Sequence, residues 1–435
     1  MMGVWCTGPR ARQAVLHEPS LRAAYDRSLP GWTEADVDAS PYAVADFTVA
    51  AAYGGGAGLA ALRARLAARG IKLILDFVPN HLGLDHPWLA ARPELFVGAA
   101  TRFAGAFAHG GRFVAYGKDP YFEPWIDTVQ LDYRNPDTRA VMTDALLQIA
   151  SRCDGVRCDM AMLVLPDVFA RTWSHVPSEY PDRWDFWSQA IAAVRRAHPS
   201  FVFLAEAYWS LEDRLCELGF DYAYDKHLYD LIAHDRGAEI GAHVRGTDSM
   251  RRAHFIENHD EPRAAAALDP ARLRAALVLV LGLPGMRFLH DGQLTGRRRF
   301  SRIQLVRRPL DDADPAVAAL YAEVLRAFAS SLVGRGTGRV LEPHRAWDDN
   351  PTASYFTIVQ WSDGDRFDLV IANLAPHRAQ CRVMPSVPGL AGRTWQLVDR
   401  LGDERWLRDG DELATRGLFL DLPARGAQLF SCTWR

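Results

Sequence analysis

Carboxylates, imidazoles and a guanidinium recur just past short apolar runs of this chain. The run Ile71–Val78 contains Asp76 and is followed by Asn80 and His81. Arg157 and Asp159 lie in Gly155–Met160, Glu206 directly follows Phe201–Ala205, and Asn258, His259 and Asp260 follow Ala253–Glu257. Singly, each has an ordinary structural explanation: Asp76 as a hydrogen-bonded strand residue, His81 as a loop cap. Together they describe polar groups at the ends of parallel strands, which converge on one rim of a sheet or barrel. Retaining cleavage of a glycosidic bond needs such groups: one carboxylate as nucleophile and one carboxylic acid about 5–5.5 Å away. Asp159 and Glu206 end consecutive strands and are the expected pair. Arg157 is two residues before Asp159, so both side chains point to one side of the strand. A guanidinium there favours an ionised Asp159, while negative charge on Asp159 and Asp260 is expected to keep Glu206 protonated.

The elements that must position these groups alternate along most of the chain. Gly3–Thr7, Ile71–Val78, Gly155–Met160, Phe201–Ala205, Phe220–Tyr224, Ala253–Glu257 and Met286–His290 read as strands. They are short and continuously apolar, as strands buried on both faces are. Helical patterns follow at Leu59–Arg69, Thr138–Ser151, Phe186–His198, Leu211–Leu218, Lys226–His234, Pro270–Leu281 and Pro315–Ser330. Repeated strand–helix units predict an α/β fold, with a (β/α)8 TIM barrel the better fit and a doubly wound open sheet the alternative. His81 to Asp137 is rich in Gly, Pro and aromatics and reads as an excursion. From about Leu341 the pattern changes to antiparallel strands, such as Tyr355–Trp361 and Phe367–Asn373, separated by turns at Asp363-Gly364 and Asp409-Gly410.

Composition narrows the function classes. The chain has 435 residues, 49 % hydrophobic and 24 % charged, with formal net charge -3, so a nucleic acid or an anionic membrane has no basic face to meet. Lysine occurs only at Lys72, Lys118 and Lys226, the other basic residues being arginine. Cys6, Cys153, Cys158, Cys216, Cys381 and Cys432 include no Cys-x-x-Cys pair, so free thiols are expected and a zinc site is not. No run of about 18 apolar residues suits a membrane span, and the N-terminus lacks a secretion pattern. These features lead to the expectation of a cytoplasmic protein.

The stretches Asp76-Phe-Val-Pro-Asn80-His81, Gly155-Val-Arg157-Cys-Asp159, Ala205-Glu206 and Glu257-Asn258-His259-Asp260 resemble, in order and spacing, the four signature regions of the α-amylase family, glycoside hydrolase family 13. Gln130-Leu131-Asp132-Tyr133-Arg134-Asn135-Pro136 is similar to the family's short motif between its third and fourth barrel strands, and Ser40-Pro41-Tyr42 with Asp46-Phe47 to the segment after strand two. The resemblance implies a retaining hydrolase or transglycosylase of α-glucans or maltooligosaccharides. It makes Asp159 the nucleophile, Glu206 the acid/base and Asp260 the residue gripping the sugar before the cleaved bond. His81 and His259 would bind that sugar's hydroxyls, Tyr42 would stack on it, Arg157 would hold Asp159, and Asp76 and Asn80 would shape the site. It also implies a catalytic domain over 1–340 with a small insertion at 82–130 after strand three, and a C-terminal β-sandwich over 341–435. A catalytically silent carbohydrate-binding relative is the competing reading, and the full set of catalytic residues counts against it.

Two departures stand out. Calcium-binding members carry Lys-His where this chain has Met162 and Leu163, and calcium prefers oxygen ligands, so no metal or cofactor is expected. Gly3–Thr7 corresponds to the family's second strand, so the first strand and helix are expected upstream of Met1. Without them Gly3–Thr7 and Met286–His290 would each lack a neighbour.

Overall fold

Gly155 sets the spacing of the strands that carry the site. A Cβ there would lie 2.6 Å from the Val202 carbonyl oxygen, so only glycine lets the two backbones approach this closely. Ile74–Phe77 pairs in parallel with Gly155–Cys158, which pairs with Val202–Ala205, which pairs with Tyr222–Tyr224. The computed structural model describes residues 1–181 and 183–434. They form two compact units, Met1–Tyr224 with Ser301–Pro309, and Asp225–Phe300 with Leu310–Arg435.

In the first unit the strands pack against helices that follow them. Phe77, Val156, Phe203 and Ala205 are buried together with Leu146, Ile149, Trp187 and Ile191 from the helices Pro136–Ala150 and Trp187–Ala197. Pro136–Ala150 opens on proline behind Asn135, whose side chain accepts from the Asp137 amide. A capping Asn with proline at the first turn is a strong helix start. The region between His81 and Gln130 is built of short antiparallel pairs: His81–Gly83 with Thr128–Gln130, and Arg112–Ala115 between Gly98–Ala99 and Ala106–His109.

Gly3–Thr7 departs from expectation. Only Trp5–Cys6 is strand, and it pairs antiparallel with Asp46–Val49 across an irregular register. Gly3 adopts a left-handed φ of +67, and its amide donates to the Asp76 side chain rather than to a strand carbonyl. The apolar Val4 and Trp5 that read as a sheet strand are buried instead in an irregular approach to Ile74–Phe77. Helices Pro9–His17, Pro19–Ser28, Pro166–Trp173 and Gly237–Gly246 add to those the apolar periodicity predicts.

The second unit holds the parallel pair Arg252–His254 and Met286–Arg287 and the helices Lys226–Ala233, Gly237–Gly246, Pro270–Gly282 and Pro315–Ala329. Its antiparallel strands form two sheets, one built on Phe356–Asp363, Arg366–Asn373 and Ala427–Trp434, the other on Ala379–Val383 and Leu418–Leu422. Ile358, Leu369 and Phe430 from the first share a core with Cys381, Val383 and Leu420 from the second. Among the described residues no helix is long and apolar enough to cross a membrane.

Candidate functional site

The strand register brings the predicted groups together. Asp76 is level with Arg157, Arg157 with Leu204 and Cys158 with Ala205. One residue further on, Asp159 and Glu206 leave adjacent strands side by side, their amides donating to Phe77 and Cys158 carbonyls at 2.9 and 3.0 Å.

Arg157 lies at the middle of this cluster. Its Nη1 is 2.6 Å from Asp159 Oδ1 and 3.6 Å from Asp76 Oδ1, and its Nη2 is 2.7 Å from Glu206 Oε2. Nε donates to the Tyr224 hydroxyl at 3.3 Å, and the guanidinium carbon is 5.5 Å from the Tyr42 ring centroid and 5.7 Å from that of Tyr224. Asp76, Arg157, Asp159 and Glu206 are 0, 3, 5 and 2 % exposed, so water screens none of these charges well. One cation faces three carboxylates, and full ionisation would leave two buried charges uncompensated. Such a cluster retains a proton. Burial pushes Asp76 up to about 6 against the pull of Arg157. Burial also drives Asp159 well above the usual carboxylate range, with Arg157 opposing and Glu206 and Asp76 reinforcing. Burial works against the Arg157 charge as well, but Glu206, the two tyrosines and Asp159 outweigh it and hold the guanidinium protonated.

Glu206 is oriented from both sides. Oε2 accepts from the Met160 amide at 2.7 Å and Oε1 from the Tyr208 hydroxyl at 2.7 Å. Met160 can present its amide because its φ of 43 is left-handed, a conformation uncommon outside glycine and frequent at functional sites. Oε2 thus faces the N–H groups of Met160 and Arg157, which only donate. A hydroxyl can donate or accept, so a proton on Glu206 belongs on Oε1, with Tyr208 as its acceptor.

His81 is buried beside this region. Burial lowers its ring to about 3, keeping it neutral. Asn80 and Gln130 exchange amide hydrogen bonds at 3.2 and 3.0 Å, which orients the Asn80 amide nitrogen toward His81 Nδ1 at 3.3 Å. With Nδ1 accepting, Nε2 carries the proton. His259 and Asp260 lie in the second unit and pair at 3.1 Å, and Asn258 Oδ1 accepts from the Asp260 and Glu261 amides. Met162 and Leu163 are buried in the turn Ala161–Val164, and among the described residues no group of three His, Cys, Asp or Glu side chains is placed to hold a metal.

Sequence reasoning missed Gln130, Tyr208, Tyr224 and the Met160 amide. Gln130 stood inside a motif already noticed. The others lie in strand-end turns, or in a strand too short to display a face, and carry no periodic signal.

An α/β chain with carboxylates and a guanidinium clustered at its strand ends has the architecture of α-amylase enzymes. The family model for the α-amylase catalytic domain matches residues 30–94, which include Tyr42, Asp76, Asn80 and His81. The α-amylase MalA of Haloarcula japonica is 27 % identical over 245 residues, covering 53 % of this chain and 32 % of that protein. α-Amylase 3 of Dictyoglomus thermophilum is 21 % identical over 280 residues, covering 57 % and 51 %. The chain thus spans about a third to a half of the length of these curated relatives. A maltogenic α-amylase from Thermotoga neapolitana superposes with a TM-score of 0.67 at 16 % identity, over 99 % of this chain and 88 % of that one. An acarbose complex of the Geobacillus thermoleovorans α-amylase gives 0.63 at 19 %, over 90 % and 84 %. The matched stretch and these relatives make the chain similar to the α-amylase family, and the superpositions give it the fold of those enzymes.

Proposed function

We propose that this chain is a retaining glycosidase that cleaves α-glucosidic bonds of α-glucans or maltooligosaccharides, transferring the glycosyl group to water or to a sugar hydroxyl. The observation that carries this reading is the Arg157 guanidinium held between Asp159 and Glu206, at 2.6 and 2.7 Å, at the ends of adjacent parallel strands. The similar structure with bound acarbose and the relatives named α-amylases support an oligosaccharide substrate.

In this mechanism the proton that the buried cluster retains rests on Glu206 Oε1 in the reactive state, which leaves Asp159 ionised against Arg157 at 2.6 Å; Asp159 attacks the anomeric carbon as the bond to the leaving oxygen breaks, and the Glu206 proton passes to that oxygen. Glu206, now a carboxylate, takes a proton from water or an acceptor hydroxyl. The activated oxygen displaces Asp159 and restores the starting configuration. The neutral His81 offers its Nε2 proton to a hydroxyl of the bound sugar. Asp260 and His259 grip that sugar and Tyr42 covers its face, roles that follow from the family's motif. The same reading takes the strand–helix units as a (β/α)8 barrel with an insertion at 82–130 and the last segment, 341–435, as a β-sandwich domain. The test is the anomer released first from a maltooligosaccharide, followed by proton NMR before mutarotation. The α-anomer is expected, and a β-anomer overturns the double displacement.

A further inference from the structure

The turn that carries Asn258, His259 and Asp260 is tied off at its base by buried charge. Glu257 and Arg263 bracket it, 1 and 6 % exposed, and Arg263 Nη1 lies 2.5 Å from Glu257 Oε1. The same Nη1 meets His290 Nδ1, which is 3.1 Å from that carboxylate oxygen. Glu257 Oε2 accepts from the Ala264 amide at 2.7 Å, where the short helix Ala264–Ala267 begins. The second arm of the guanidinium, Nη2, donates to the Asp291 carbonyl at 2.7 Å. Gly292 makes room for it: a Cβ there would lie 2.6 Å from Nη2, and its φ of +84 suits glycine. The His290 amide donates to Gln293 Oε1 at 2.9 Å, and Gln293 Nε2 donates to the Tyr321 hydroxyl at 2.8 Å. The base of the turn is thereby fixed to the segment 290–293, and through it to the helix Pro315–Ala329.

The tip of the turn is different. The Asp260 side chain is 47 % exposed, and the backbone beneath it is shaped by Asn258 Oδ1, which accepts from the Asp260 and Glu261 amides at 2.9 and 3.1 Å. A carboxylate half in solvent is placed more by the turn that carries it than by its own packing. A buried ion pair adds little stability over apolar side chains of the same volume. A guanidinium fork instead fixes two acceptors in one plane. The pair therefore serves geometry more than stability, and the geometry it serves is that of the turn.

We propose that Arg263, acting through Glu257 and the Asp291 carbonyl, is a positioning residue for Asp260. This rests on the proposed role of Asp260 in gripping the sugar before the cleaved bond.

Arg263→Lys keeps a positive charge beside Glu257 but cannot serve Glu257 and the Asp291 carbonyl from one plane. The test is a double-mutant cycle: kcat/KM for maltoheptaose in the parent, Arg263→Lys, Asp260→Asn and the double variant. Misplacing a group that holds the substrate costs up to about a hundredfold, so Arg263→Lys alone should lose about ten- to a hundredfold. In the Asp260→Asn background the same change should matter less than about twofold, because the group it positions is already gone. Acarbose affinity, read by calorimetry on the same four proteins, should follow the same pattern. If Arg263→Lys does not fold, Glu257→Gln enters the cycle in its place, with the same expectation. Losses of equal factor in both backgrounds overturn the positioning role, since a residue that only stabilises the fold acts whether or not Asp260 is present. An Asp260→Asn chain as active as the parent overturns the role of Asp260 and the positioning with it. A parent that neither cleaves maltoheptaose nor binds acarbose overturns the proposed activity itself, and this inference falls with it.

Discussion

Arg157 Nη2 lies 2.7 Å from Glu206 Oε2, while Nη1 of the same guanidinium holds Asp159 at 2.6 Å. The two acids of the proposed reaction therefore share one cation, with Asp76 3.6 Å away. Removing that cation as Arg157→Met leaves three buried carboxylates without a counter-charge. Breaking a buried pair in this way costs about 3–5 kcal/mol. The pH dependence has a definite sign. Asp76 is raised to about 6 in the folded chain, so its favourable contribution is complete below about pH 4 and is lost as pH rises through 6. Without Arg157 that loss grows. Denaturant unfolding should show Arg157→Met less stable than the parent, with a gap wider at pH 7 than at pH 5. A gap that is constant, or wider at pH 5, contradicts this charge balance.

Asp159→Asn should lower turnover by about a thousandfold or more with the fold intact, because a neutral amide cannot form the glycosyl ester. Activity within tenfold of the parent removes Asp159 as nucleophile. Glu206→Gln should slow natural glucans strongly and activated aryl glycosides least, since a good leaving group needs no proton. Equal losses on both substrates remove Glu206 as acid.

The strand ends were legible because strands buried on both faces are apolar until they leave the sheet. Asp76, Arg157, Asp159 and Glu206 are the polar interruptions, and the register makes them neighbours. Gly3–Thr7 misled for the same reason: Val4 and Trp5 are as apolar as any strand, and nothing in the sequence reveals that Gly3 turns left-handed and gives its amide to Asp76. His81–Gly83 was hidden because its partner Thr128–Gln130 lies far along the chain, across a Gly- and Pro-rich stretch. Met160 and Trp209 adopt positive φ without the glycine or asparagine that would announce it. The contacts that aim Glu206 arise from such turns, so its donors could not be read from residue types.

Tyr208→Phe removes one of those donors. The hydroxyl donates to an ionised Oε1 in a charge-assisted bond stronger than the one it accepts from the protonated acid, which on balance favours the carboxylate. Without it, Glu206 should keep its proton to higher pH, and the alkaline limb of kcat/KM should move up by roughly one pH unit, the worth of about 1 kcal/mol of hydrogen bonding. A substitution that only loosened packing would lower the whole profile without moving the limb. An unmoved or lowered limb shows that Tyr208 does not tune the acid.

Met162 and Leu163 occupy the positions where calcium-binding relatives carry Lys-His. Both side chains are buried and apolar, in a turn whose Ala161 carbonyl accepts from the Trp187 indole at 2.9 Å. This turn is stabilised by packing, at the place where those relatives recruit a cation, and neither side chain supplies the oxygen donors calcium requires. Prolonged treatment with a chelator should therefore leave both Tm and activity unchanged. A fall in Tm that added calcium reverses, and magnesium does not, would reveal a calcium site elsewhere in the fold. If Met162→Lys with Leu163→His were then to make Tm calcium-dependent, the turn would retain the geometry of a metal loop. The apolar burial leads instead to the expectation that this double variant is destabilised at every calcium concentration, because it places a lysine at the fully buried Met162 position of the apolar core.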